Sequence, residues 1–280
     1  VVLIMDANMS TTHQSKMANI ATLRKRLAAL DAERTELELQ LTKIAAEKET
    51  PPNTETPSLN AGRLVATSPP AEKIILFRSL FKGREDVFPK RWINARSGKS
   101  GYAPACANEW VRRFCSKPKI KCGDCSNRAF VPLSDAVINQ HLRGKGKDGG
   151  DFTIGVYPML IDETCWFLAV DFDKKSWQND VAAYLETCRA KDVPAALERS
   201  RSGNGGHVWI FFSEPVPAAL ARSLGAHILT ETMESNPDIG FESYDRFFPN
   251  QDTMPTGGFG NLIALPLQHQ PRQADNSLFL

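Results

Sequence analysis

Two carboxylates, Asp171 and Asp173, close an apolar run as D-F-D in TCWFLAVDFD. Side chains alternate across a strand, so both acids project from one face and Phe172 from the other. Adjacent carboxylates repel, and a buried pair is tolerable when a divalent cation compensates it. By itself D-F-D is also the pattern of a solvated strand end. A second element, Arg199-Ser-Arg-Ser-Gly-Asn-Gly-Gly-His207, raises its meaning. Gly203, Gly205 and Gly206 let the backbone approach a phosphate closely. Ser202 and the backbone N–H groups can donate to phosphate oxygens, Arg199 and Arg201 add charge, and His207 can contact a triphosphate. A tight hairpin needs glycine too, so the loop alone is a moderate signal. A third acidic residue follows in SYDRFFPNQD, with Asp245 the first candidate and Asp252 the reserve.

The second cluster is Cys106-x8-Cys115-x6-Cys122-x2-Cys125. Four thiolates with one CxxC turn suit a tetrahedral structural zinc, although the x8 gap is wide. The alternative is four unligated cysteines, which Lys117, Lys119 and Lys121 between them make a poor hydrophobic core. Cys165 and Cys188 lie in apolar stretches and read as small core residues. His141 precedes a basic glycine loop, and His227 reads as a partly buried structural histidine.

The elements that must position these residues can be counted from residue 151 onward. Residues 164–172 read as a buried strand and 177–191 as a helix with Trp177, Val181, Tyr184, Leu185 and Cys188 on one face. A strand at 195–200, the glycine turn and a strand from His207 to Phe212 follow. A helix over 216–234 has Leu220, Leu224 and Ile228 inward, and a last strand lies near 241–248. The order β-α-β-β-α-β predicts an α+β, ferredoxin-like sheet of four antiparallel strands with helices on one face. In that sheet the first and third strands are central neighbours and the fourth lies on the other side of the first. Asp171, Asp173, His207 and Asp245 are therefore expected to meet. A further strand, Asn261–Leu265, would extend the core.

Upstream, residues 13–50 carry a heptad seam from Ile20 to Ile44, broken by Arg34. This predicts a short coiled coil, which permits a homodimer, or an amphipathic helix. Residues 51–70 contain five prolines and read as a linker. Residues 71–150 read as a helical region with the four-cysteine zinc site, and 151–280 as the catalytic core. In 83–104, Arg and Lys interleave with Phe88, Trp92 and Tyr102, which suits either a nucleic-acid strand or an anchored loop. Residues 1–12, opening VVLIM, are read as vector-derived, an alternative start or disordered.

The 280 residues carry a net charge of +2, so any nucleic-acid contact rests on local patches. No apolar run approaches a membrane span, and a cytoplasmic protein without membrane contact is expected.

Asp171-Phe-Asp173, the Ser202-to-His207 motif and the later acid resemble the three motifs of the archaeo-eukaryotic primase superfamily. Closer still, GVYPML, CWFLAVDFDKKSW, LERSRSGNGGHVWIFF and SYDRFFPNQDTMPTGGFGNLIALPLQ look like the primase component of TOTE conflict systems. The likeness covers about 71–280. It implies an RRM-like catalytic core and a primase-polymerase that makes or extends primers on a DNA template from nucleoside triphosphates. It further implies Mg²⁺ or Mn²⁺ at a two-metal site of Asp171, Asp173 and Asp245, with nucleotide contact by Ser202 and His207. Helicase and nuclease modules of a defence system against invading DNA are the implied partners, and neither is visible here, which makes the chain look like an excised module. Two other readings stay open: a non-catalytic RRM-like module that holds single strands on Trp209 and Phe211, and a DxD transferase using a nucleotide sugar.

Overall fold

The computed structural model describes residues 25–26, 64–146, 151–237, 240 and 242–280. The heptad seam falls on residues outside these, apart from Lys25 and Arg26, which are helical and exposed, and so do residues 51–63 of the expected linker; residues 64–70 are described, and Pro70 already opens a helix. Leu64–Leu280 forms one compact unit.

Its elements run α1 (Pro70–Leu80), β1 (Pro89–Ile93), β2 (Ser100–Pro104), α2 (Asp135–Arg143), β3 (Gly155–Val156), β4 (Thr164–Asp173), α3 (Trp177–Ala190) and β5 (Ala196–Arg199). They continue with β6 (Gly205–Pro217), α4 (Ala218–Ser235), β7 (Tyr244–Phe248), β8 (Ile263–Ala264), α5 (His269–Arg272) and β9 (Leu278–Phe279). The main sheet is antiparallel, with spatial order β7-β4-β6-β5-β9. Its first four strands have the arrangement expected of a split β-α-β pattern.

Two departures concern the edges. Only Ile263–Ala264 of the expected strand forms, and it pairs with β3 in a separate two-stranded ladder. The open side of β5 is taken by β9. The region before residue 151 is also less helical than expected, since α1 and α2 share it with the β1–β2 hairpin.

Alternation along β4 builds two cores. Leu168, Val170 and Phe172 face α3 and α4, meeting Trp177, Val181, Tyr184 and Cys188 at helical spacing. The inward stripe of α4 is Ala221, Leu224 and Ile228; Leu220 is 61% exposed, not inward. The small Ala221 takes the contact position. Phe167, Ala169 and Trp209 face the other way and are covered by Ile74, Phe77 and Phe81 of the α1 segment. The Phe81 ring sits 5.0 Å from that of Trp209 and 5.7 Å from that of Phe211. Burying a ring of this size contributes about 2 to 3 kcal/mol, so this cover is an integral layer.

His141 is fully buried in that second core. Its Nε2–H donates to the Pro266 carbonyl at 2.9 Å, and its Nδ1 accepts from the Ile154 N–H at 3.3 Å. Burial pushes its pKa down to about 4. The unfolded chain takes up this proton near pH 6.5 and the folded chain only near 4, so stability falls as pH drops through that window, by about 3 kcal/mol at most. Urea midpoints at pH 7.5 and 5 should therefore differ more in the wild type than in His141→Gln; equal differences would contradict the assignment. His227, by contrast, has a 59% exposed side chain on the outer surface of α4, so it is not part of a core.

Candidate active site

The ends of β4, β6 and β7 meet at one corner of the sheet, on the face away from α3 and α4. Asp171 is the cross-strand partner of His207, and Asp173 that of Gly205. On the other side Asp171 pairs with Arg246 and Phe172 with Tyr244, which leaves Asp245 as an extra residue in a bulge. A bulge re-aims a side chain that strict alternation would send to the opposite face. Here it brings Asp245 to Asp171 and Asp173, and the three offer oxygen atoms within 4.8 Å of one another. Asp252 is elsewhere, paired with Arg222 of α4.

The bulge is anchored from behind. The Asp173 N–H donates to the Ser243 carbonyl at 2.7 Å. The buried Asp180 on α3 accepts from the Ser243 N–H at 3.3 Å, from the Ser243 hydroxyl and from the Ser176 hydroxyl. Nothing in the sequence pattern marks Asp180 for this.

Electrostatically the corner is overloaded with negative charge. The Asp171 side chain is only 14% exposed. Burial raises its pKa to about 6, with Asp173 and Asp245 pushing the same way and His207 opposing. Arg246 donates to Asp245 at 2.5 Å and partly offsets the cluster. Three converging acids, one of them desolvated, form a donor set suited to a divalent cation.

His207 is held by a residue that motif reading missed. Glu198, the β5 partner of His207, is almost fully buried. It accepts from His207 Nδ1 at 2.9 Å, from Trp209 Nε1 at 3.0 Å and from the Ser277 hydroxyl at 3.4 Å. That fixes Nδ1 as the protonated nitrogen toward Glu198 and leaves Nε2 facing Asp171, 3.5 Å from Oδ1. Burial works against a charged imidazole, but Glu198, Asp171 and Asp173 outweigh it and lift the pKa to about 8.

The glycine loop fits tightly around this corner. Gly203 has φ +77°, which L side chains rarely adopt, and its N–H closes a turn onto the Ser200 carbonyl at 3.1 Å. A Cβ on Gly205 would lie 2.7 Å from an Asp173 carboxylate oxygen, so a side chain there would displace the acid. The Ser202 hydroxyl is exposed and accepts from the Asn204 N–H at 3.2 Å. Arg199 donates to the Asp275 carbonyl and Arg201 to the Gln268 side chain.

The Archaeo-Eukaryotic Primase domain of TOTE conflict systems matches residues 72–280, three quarters of the chain. The chain belongs to this family. The region matched by the primase domain holds the acidic triad, the glycine loop and the cysteine cluster. The polymerase domain of ligase D from Mycobacterium tuberculosis, solved in complex with DNA, is similar over 70% of this chain and 72% of that chain, at 15% identity and a TM-score of 0.40. A search of curated proteins finds no match. Among the described residues, no helix of the primase domain is long and apolar enough to cross a membrane.

The four cysteines behave differently from the acids. All are partly exposed and line one small cavity of about 20 Å³. Among the described residues only Asp171, Asp173 and Asp245 bring three donor atoms within 4.8 Å of one another, so the sulfur atoms are not gathered at coordination distance.

Proposed function

We propose that this primase domain is a template-dependent nucleotidyltransferase that makes or extends primers, working with the helicase and nuclease of its conflict system. The observation that carries the reading is the convergence of Asp171, Asp173 and Asp245 beside a histidine whose far nitrogen is tied to Glu198.

In this reading the 3′-hydroxyl of the growing strand attacks the α-phosphorus of a nucleoside triphosphate and pyrophosphate leaves. Asp171, Asp173 and Asp245 would hold the Mg²⁺ or Mn²⁺ ions, which supply hydroxyl activation and charge compensation when bound. Ser202 offers its exposed hydroxyl to the triphosphate, and Gly203 and Gly205 let the backbone approach it closely. His207, charged at neutral pH, offers Nε2 to it. Glu198 acts through His207 as a positioning residue.

The rival reading, a non-catalytic strand binder, needs open aromatic surface on the central strands. Trp209 is fully buried and Phe211 partly so beneath Phe81, which removes that platform. Incubating the chain with primed and unprimed templates, dNTPs or NTPs, and Mg²⁺ or Mn²⁺ should give extended product on gels. Absence of product in every combination would contradict the enzyme reading.

We also infer a structural zinc at Cys106, Cys115, Cys122 and Cys125. The donor chemistry supports it. The Ala129 N–H points at Cys106 Sγ at 3.4 Å, as amides do toward thiolates, and the ammonium of Lys117 interacts with Cys122. Four thiolates drawn round one ion would replace the small cavity. Purified protein should contain about one zinc per chain, and a strong chelator should lower Tm by on the order of 10 °C. Zinc-free protein with an unchanged Tm would contradict this.

A further inference from the structure

The β1–β2 hairpin brings a second set of charged groups to the glycine loop. Arg91 and Tyr102 are cross-strand partners, so their side chains share one hairpin face. Both lie within electrostatic reach of Arg201, the loop residue just before Ser202. The Arg91 side chain is 14% exposed and meets Asp151 at 3.4 Å. Arg201 is also partly buried, but its side-chain partner is the neutral amide of the buried Gln268. Two guanidiniums thus share one carboxylate. Burial and the neighbouring Arg91 both disfavour the Arg201 charge. An uncompensated, partly desolvated cation of this kind costs stability unless an anion completes it. Each guanidinium carries five donors in a planar fork matched to phosphate oxygens.

The hairpin also says what kind of phosphate. Its other face presents Trp92, 45% exposed with its ring against Gly101, while the 52% exposed Ile93 shares the face of Arg91. Lys90, Arg96 and Lys99 are exposed along the same element. Cations and an exposed ring strung along one extended element suit a strand better than a compact triphosphate, because a strand presents phosphates and bases at successive positions.

We propose that Arg91, Tyr102 and Arg201 form a phosphate-binding site for the backbone of the nucleic-acid strand, at the glycine loop. It rests on the polymerase reading for the identity of that strand, while its test reads binding and not turnover. A fluorescent single-stranded oligonucleotide is titrated by anisotropy across a salt series, without divalent metal. In Arg91→Gln plus Arg201→Gln, the dependence of log K on log salt should flatten by about 0.7 for each phosphate that is no longer neutralised. Affinity at low salt should fall several-fold. Arg91→Lys plus Arg201→Lys should recover most of the slope, and thermal melting checks folding of each variant. Should the glutamine pair fail to fold, Arg91→Gln alone is expected to flatten the slope by the share of a single phosphate. A parallel titration of Arg91→Gln, whose residue lies outside the glycine loop, with a fluorescent nucleoside triphosphate and Mn²⁺ should change less than about twofold, a shift too small for the removal of a charged partner.

An unchanged oligonucleotide slope in the folded variants overturns the site. So does a weakening confined to the triphosphate, which would hand these arginines to the nucleotide. Wild-type protein that binds no oligonucleotide overturns both this site and the polymerase reading. Wild-type binding with an unchanged variant slope overturns this site alone.

Discussion

Replacing Asp171 and Asp173 together by alanine is expected to reduce primer extension by about a thousandfold or more, the upper range for losing preorganised charge stabilisation. The single Asp171→Ala variant should be nearly as inactive, because groups that hold one site act as a unit and their effects do not add. Stability should move in the opposite direction. The ionised Asp171 sits among Asp173 and Asp245 with little solvent, and burial first, then these neighbours, raise its pKa to about 6. A carboxyl whose folded pKa exceeds its unfolded value adds stability below the unfolded value and loses it as pH rises through the folded one. In metal-free buffer at pH 7 the ionised acid therefore costs about 3 kcal/mol, and Asp171→Ala should melt no lower than wild type. Extension assays and thermal melts on the same preparations check both halves. A variant that unfolds would point to a structural acid, and one that still extends primers would remove the triad from the chemistry.

The second large effect concerns Glu198. Removing its carboxylate with alanine strands three buried or partly buried donors, those of His207, Trp209 and Ser277. Breaking one side of such a network costs about 3 to 5 kcal/mol, so Glu198→Ala should melt far lower than wild type. Glu198→Gln is the informative change. Its amide keeps the shape but offers one acceptor oxygen in place of two, so His207 loses its fixed orientation before the fold is lost. Turnover should fall on the order of 10- to 100-fold, as for partners that orient a site histidine, with a smaller change in KM. Glutamine at full turnover would confine Glu198 to a structural role.

These two sites differ in how far the sequence discloses them. Alternation along TCWFLAVDFD and the split β-α-β order place Asp171, Asp173 and His207 together before any coordinates, because strand period and strand order are short-range rules. Asp245 over Asp252 is a matter of one bulge, which no periodicity reports. Glu198 was legible in principle, since counting back through the β5–β6 hairpin pairs it with His207. Its acidic type suggests a solvated strand residue instead. The cover over Trp209 and Phe211 comes from the α1 segment, more than a hundred residues earlier, and such long-range packing leaves no local mark. His141 was hidden for the same reason, its two partners lying 13 and 125 residues away.

The central claim is that the acidic corner exists to bind cations together with a triphosphate. Crystals soaked with Mn²⁺ and a non-hydrolysable nucleoside triphosphate, with anomalous scattering recorded at the manganese edge, test it most directly. The account predicts manganese among the carboxylates of Asp171, Asp173 and Asp245, with phosphate oxygens at Ser202 and His207 Nε2. Manganese at other sites, or a nucleotide bound away from the Gly203–Gly205 loop with the triad ion-free, would contradict it.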